Sequence, residues 1–225
     1  MESIIAASED ALLPLLDFQL EKTARYIESR QEVTSFSSVP IASPNGVKVL
    51  PFNITSDSFI DPHSVFFVFN VNNKDASTPT KKPLKPLTAG PHGFIQRMII
   101  SVNGQPCEDI NYYGRLHEQF ERLLPEGKRM NNADIGFGTT TMSATSNWVV
   151  SPIEGGKSRR VIFKPLLSGL LQGQSKLIPG FALGQGSGRV ELELCNALDN
   201  INGETAANNV SLDITDARVC YNSIT

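Results

Sequence analysis

The sequence is poor in the side chains that most often carry chemistry. Its 225 residues hold three histidines, three cysteines and one tryptophan. Cys107, Cys195 and Cys220 are too few and too widely spread for a disulfide framework or a thiolate zinc cluster. No stretch approaches the roughly 18 consecutive apolar residues that a membrane-spanning helix needs. A basic excess is missing as well: 20 Lys and Arg stand against 23 Asp and Glu, for a net charge of −3. A domain that grips nucleic acid through its phosphates carries such an excess. What is present is the composition of a folded chain, 40% hydrophobic and 19% charged, long enough for one large domain or two small ones.

The N-terminus imitates a targeting signal without its charge pattern. Ala11-Leu12-Leu13-Pro14-Leu15-Leu16 is apolar, but Glu2, Glu9 and Asp10 precede it where a signal peptide has Lys or Arg. Ser8-Glu9-Asp10 reads as a helix start, with acids at the positive end of the dipole. With no signal and an odd cysteine count, folding in a reducing compartment is expected. Residues 1–30 are read as a helical or extended arm, and residues 31–225 as the folded domain. Leu12, Leu13, Leu15, Leu16 and Phe18 form an apolar patch outside any strand pattern, and such a patch invites association. Together with Trp148, which sits beside two valines, they are the candidate subunit-interface residues.

The rest reads as short strands. Arg189-Val190-Glu191-Leu192-Glu193-Leu194 alternates cleanly, so Val190, Leu192 and Leu194 face a core and the charges face water. Val65-Phe66-Phe67-Val68-Phe69 is a solid apolar run, the pattern of a strand buried on both faces. Residues 94–102 form another apolar stretch, and Asn103-Gly104 favours a hairpin turn that returns over residues 105–110. Spacing slips by one residue near Pro51, which indicates a bulge or an edge position, and again near Asp216, which indicates a bulge. Strands are predicted over 47–54, 64–71, 94–103, 105–110, 160–164, 176–181, 189–195 and 210–222. Phe67, Phe69, Ile99 and Leu212 join the three β-branched or leucine positions of 189–195 as predicted core.

One segment departs from the pattern. Tyr112, Leu116, Phe120 and Leu124 recur every four residues, with Arg115, Glu118, Glu121 and Arg122 on the other side. That spacing predicts an amphipathic helix over 112–124, with Glu118 and Arg122 paired at i,i+4 and the polar side toward solvent. The fold class is therefore all-β: an eight-stranded antiparallel jelly-roll β-sandwich with one helix after the fourth strand. Two long connections, 72–91 and 131–156, are read as solvated or subunit-contacting loops.

A search for chemistry finds no constellation. Gly155-Gly156-Lys157-Ser158 ends like a phosphate-binding loop, but the first glycine of that motif falls on Ser151, and a strand follows. Gly184-Gln185-Gly186-Ser187-Gly188 leads into a strand, so no helix terminus is available for a phosphate. Leu167-Ser168-Gly169 lacks the flanking glycines of a nucleophile elbow. Cys107 follows a turn and is expected at the surface, while Cys195 and Cys220 are expected as packing residues. His63, His92 and His117 have no pair at ligand spacing on one helix. The sequence thus assigns no catalytic residue, no cofactor-binding residue and no metal ligand, and no cofactor is expected. Because distant residues can converge, two or more of these histidines meeting a carboxylate in one pocket, or metal at stoichiometric levels, would overturn this expectation.

The order of segments resembles the N-terminal jelly roll of a double jelly-roll major capsid protein. The likeness is to the Polinton and adintovirus group, with virophage capsids and adenovirus hexon more distant. It is carried by Val49-Leu50-Pro51-Phe52-Asn53-Ile54 with Asp57-Ser58-Phe59-Ile60-Asp61, by residues 65–71, by 94–102 with its hairpin, and by the helix. Residues 163–171, Leu177-Ile178-Pro179, 190–194 and 210–219 complete it. The resemblance implies a DNA-virus capsid subunit without enzymatic activity, three copies of which build a pseudo-hexagonal capsomer of an icosahedral shell in the virion. Identical copies, and other capsid proteins such as a penton, are the implied partners, with no membrane span and no specific nucleic-acid site. A double jelly roll needs a second domain of similar size, so this chain is either the first half of a longer protein or a single jelly roll. The alternative class is a carbohydrate- or ligand-binding sandwich of lectin or cupin type, although a cupin would cluster His and Glu on its strands.

Overall fold

The structure is a computed structural model and describes residues 29–74, 83–86, 90–123, 125, 139–142, 148–150, 152–173, 176–183, 188–196, 201–203 and 211–225. Two antiparallel sheets pack into a sandwich. The first holds β1 (Arg30–Phe36), β14 (Leu212–Ile224), β4 (Phe59–Asn73) and β10 (Ser158–Phe163) in that order. Short β2 (Ile41–Ala42) pairs with β14, and β11 (Ile178–Pro179) pairs with β4. The second sheet runs β3 (Val49–Ile54), β12 (Gly188–Leu194), β6 (Ile95–Val102), β7 (Gln105–Asn111). Between β7 and the next strands lies helix α1 (Tyr113–Arg122). Two small hairpin-like pairs stand apart: β5 (Leu84–Pro86) with β13 (Ile201–Gly203), and β8 (Thr139–Met142) with β9 (Trp148–Val150). Among the described residues no helix is long and apolar enough to cross a membrane.

The core forms where the inward faces meet. From the first sheet come Val65, Phe67, Phe69, Val71, Val161, Phe163, Ile214 and Val219; from the second, Leu50, Phe52, Met98, Ile100, Val190 and Leu192, all buried. Phe52 and Phe67 meet across the sandwich with ring centroids 5.0 Å apart, and Phe67 stacks on Phe163 at 5.9 Å. Asn103 and Gly104 both take positive φ, 51° and 76°, and join β6 to β7 as the sequence predicts. Asp216 also takes positive φ, and the register of β14 against β4 shifts between Thr215 and Arg218. The bulge turns the buried set from Leu212 and Ile214 to Ala217, Val219 and Tyr221, matching the slip read there.

One alternative is settled and four expectations are corrected. Near Pro51 the edge position expected as one alternative holds and the bulge does not: β3 pairs with β12 in continuous register, Leu50, Phe52 and Ile54 face inward, and Pro51 occupies an edge strand, where its missing N–H costs no ladder bond. Ile99 is only half-buried, because Met98 and Ile100 face the core and place it on the outer face with Arg97 and Ser101. The strand expected over 176–181 shrinks to Ile178–Pro179, and a 3-10 turn, Gly180–Leu183, follows. Its place in the four-by-four arrangement is taken by β1, a mostly exposed edge strand whose polar residues carry no period-two apolar signal. The two long connections are not structureless either, since Leu84 in one bridges Ile153 in the other.

The fourth correction concerns α1, whose faces are reversed. Tyr112, Leu116, Phe120 and Leu123 are exposed, while Tyr113, His117 and Glu121 are buried. The Glu118–Arg122 pair forms as predicted, at 2.9 Å. Leu124 lies outside the described residues.

Candidate functional site

The reversed helix brings its polar stripe against a buried 3-10 turn, Pro91–Phe94, where Pro91 occupies the first turn and suits its fixed φ. The approach is close because residue 114 is glycine. A Cβ there would lie 2.5 Å from the backbone oxygen of His92 and 2.9 Å from that of Ile95. Beside this contact the ring of His92 stacks on that of His117, with centroids 4.3 Å apart and planes 21° from parallel. Tyr113 and Phe163 pack around His117.

Two carboxylates from the next turn of α1 complete the cluster. His92 Nε2 lies 3.0 Å from Glu118 Oε2 and hydrogen-bonds it. Glu121 Oε2 lies 3.6 Å from His92 Nδ1 and 3.7 Å from His117 Nδ1. One ligand-type atom each from His92, His117 and Glu121 all fall within 4.8 Å of one another. His92 is 2% exposed, Glu121 8% and His117 9%. Burial, and then the neighbouring His92, push the His117 pKa down to about 3, while the Lys164 backbone and the Glu118 charge act the other way. The His117 ring is therefore neutral at ordinary pH. Among the described residues its Nδ1 has no hydrogen-bond partner.

The cluster opens into a cavity of about 310 Å³ whose other walls include Pro91, Phe163, Pro165, Leu166 and Gln172. The loop forming one wall is pinned from behind by Glu108, which accepts from the Ser168 hydroxyl and the Leu170 amide. Tyr113 adds a further tie, its hydroxyl accepting from the Leu167 amide, and burial raises its pKa to about 12. Two imidazoles and a carboxylate facing one another can hold a cation. No serine, threonine or cysteine is among the described residues lining the cavity, so no nucleophile of those types accompanies them.

Spacing between histidines gave no hint of this cluster. His92 and His117 are 25 positions apart, and only the fold joins them. The signal that was present lies in mixed residue types, since His117 and Glu121 stand at i,i+4 on one helix. Two of the three histidines thus meet a carboxylate in one pocket, the arrangement named above as overturning the expected absence of catalytic, cofactor and metal residues. His63 stays apart, exposed on β4. Cys107 is exposed, and Cys195 and Cys220 are buried, as expected. Gly155 and Gly156 form a turn into β10, a strand rather than a phosphate-holding helix. Of the candidate interface residues, Leu12, Leu13, Leu15, Leu16 and Phe18 lie outside the described residues. Trp148 opens β9 opposite Met142, and its side chain is likewise outside them.

Comparison with solved structures finds likenesses of fold, among them the following two. The PBCV-1 virus capsid protein superposes with a TM-score of 0.57 over 89% of this chain, at 14% identity. The Faustovirus major capsid protein superposes with a TM-score of 0.51 over 87%, at 9% identity. The fold is a jelly roll like that of these two capsid proteins. The resemblance read from the order of segments thus holds at the level of fold. This chain spans about half the length of the capsid chains it matches, 44% of the first and 54% of the second. No protein-family model matches the sequence, and no curated protein matches it.

Proposed function

We propose that the protein is a structural capsid subunit, a jelly roll that assembles through contacts between copies into the shell of a DNA virus. The observation that carries this reading is the fold likeness to two viral capsid proteins over nearly nine-tenths of the chain. A share of about half of each capsid chain is what one jelly roll of a double jelly-roll protein would give. By the resemblance, three copies form a pseudo-hexagonal capsomer of an icosahedral shell, with a penton-type protein as a further partner. The work of such a subunit is geometric: stiff sheets hold loops and helices that bury surface against neighbours, and symmetry closes the shell.

The outward stripe of α1 supports an assembly role. Tyr112, Leu116, Phe120 and Leu123 place an apolar face on the surface, Leu123 at 81% exposed. Exposed apolar patches on otherwise polar surfaces mark association sites. Residues 1–30, with Leu12, Leu13, Leu15, Leu16 and Phe18, are proposed as a second contact, an arm reaching a neighbouring copy, and Trp148 as a third.

The test is mass in solution. Light scattering on the full chain, with electron microscopy of the same sample, is expected to give trimers or shells. The Phe120→Ser, Leu123→Ser double variant should retain its circular dichroism and shift toward monomer. A wild-type chain that stays monomeric up to high concentration, and binds a glycan saturably, would instead make it a carbohydrate-binding sandwich.

A further inference from the structure

We propose that His92, His117 and Glu121 form a binding site for one zinc-class divalent cation, with Glu118 as a positioning residue. The site is independent of the assembly reading and goes beyond it. It would fasten helix α1 to the Pro91–Phe94 turn.

The argument begins with the ring nitrogens. His92 gives Nε2 to the Glu118 carboxylate at 3.0 Å, which leaves Nδ1 directed at Glu121. In His117, Nδ1 has no hydrogen-bond partner among the described residues and lies 3.7 Å from the same Glu121 oxygen. Both imidazoles thus turn Nδ1 toward Glu121, and His92 is held by an outer acceptor on its other nitrogen. This is how metal-ligating histidines are usually oriented, by a carboxylate or carbonyl on the far nitrogen. The separations of 3.6 and 3.7 Å from Glu121 Oε2 are beyond good hydrogen-bond distance. They are close to the roughly 3.4 Å between ligand atoms of a tetrahedral zinc with bonds of about 2.0–2.1 Å.

Burial adds weight. A histidine and a glutamate on the inward face of a short helix, with an apolar stripe left outside, is an arrangement that hydrophobicity alone disfavours. A buried polar atom left unsatisfied also costs free energy, and among the described residues His117 Nδ1 is one. A cation answers that cost. Two imidazoles and one carboxylate select zinc, cobalt or nickel over magnesium or calcium, which prefer all-oxygen shells. Three protein ligands leave a fourth position, and the cavity of about 310 Å³ gives it access to water. Rings stacked at 21° send their lone pairs side by side, so coordination requires one ring to turn out of the stack about χ2.

The experiment is a calorimetric titration of the full chain, freed of metal by chelator, with zinc chloride. One zinc per chain is expected, and a rise in melting temperature with zinc by mass action. Magnesium chloride at the same concentration should give neither. Cobalt chloride should give a visible spectrum of nitrogen and oxygen ligation with no thiolate charge-transfer band. His117→Asn and Glu121→Gln should abolish stoichiometric binding. Glu118→Gln should weaken it by about 10–100-fold, the usual effect of losing an outer partner. His63→Asn, exposed on β4, should leave it unchanged. Absence of stoichiometric zinc on the folded wild-type chain would overturn the proposal. So would a thiolate band in the cobalt spectrum, which needs no variant to fold, or undiminished binding by folded Glu121→Gln.

Discussion

Strand β12 and helix α1 carry equally regular sequence patterns, and the fold uses them in opposite ways. In β12 the apolar set, Val190, Leu192 and Leu194, is buried, and the charged set, Arg189, Glu191 and Glu193, lies outward. In α1 the apolar set is exposed, and Tyr113, His117 and Glu121 are buried. Periodicity sorts residues into faces, but it does not say which face meets the chain's own core. For β12 the answer is forced, because it lies between β3 and β6 and has a second sheet on one side only. For α1 the stripe states only that something apolar should cover it. A neighbouring copy suits that role as well as a core does.

The largest expected effect breaks or upholds this contrast directly. Phe67 is fully buried between Phe52 and Phe163. Phe67→Ala should cost about 3–5 kcal/mol, from lost transfer energy and the cavity left behind. Phe120→Ala, in a chain kept monomeric by dilution, should cost less than about 0.5 kcal/mol, as surface changes do. Urea denaturation midpoints at equal slope measure both. Equal losses would mean that the α1 stripe packs on its own domain.

What the residues revealed follows the same division. Asn103-Gly104 and Asp216 were legible because a positive φ or a one-residue slip is written locally. So was the inward set of β12, where every second residue is charged. Ile99 was not, because Met98-Ile99-Ile100 is apolar throughout and holds no parity. Arg30–Phe36 escaped because an edge strand facing water needs no alternation, and its partner, β14, lies at the other end of the chain. The His92–His117 contact depends on a turn and a helix 25 positions apart being pressed together. Only the absence of a side chain at Gly114 marks that closeness, and a single glycine is not readable as a contact.

Gly114 offers the second test, of intermediate size. Alanine is the better helix former by about 1 kcal/mol, so on propensity alone Gly114→Ala should stabilise α1. The added Cβ would meet two backbone oxygens, at 2.5 and 2.9 Å, and backbone cannot yield as a flexible side chain does. Overpacking of that kind costs about 1–3 kcal/mol. The clash should win, giving a net loss of up to about 2 kcal/mol in the same urea experiment. The His92–Glu118 hydrogen bond should weaken with it, seen as a shifted His92 ring resonance. A stabilised Gly114→Ala chain would mean that α1 sits further from the turn, and the buried polar face would lose its cause.

The smallest effect returns to the sheets, at the point where β14 changes faces. Asp216 has φ of 53° and lies partly exposed, 3.5 Å from Arg160. Glycine adopts that backbone freely but gains entropy in the unfolded chain, about 0.5–1 kcal/mol against it. A non-glycine residue in the left-handed region loses about 1–2 kcal/mol, and Asp less than most. The ion pair with Arg160 is an exposed one and contributes at most about 1 kcal/mol. These terms nearly cancel, so Asp216→Gly should change stability by less than about 0.5 kcal/mol. Asp216→Val, β-branched at the same φ, should lose about 1–2 kcal/mol. The pair of variants separates backbone from side chain. If glycine and valine behave alike, the bulge does not hold its positive φ, and Ala217, Val219 and Tyr221 reach the core by some other turn of the strand.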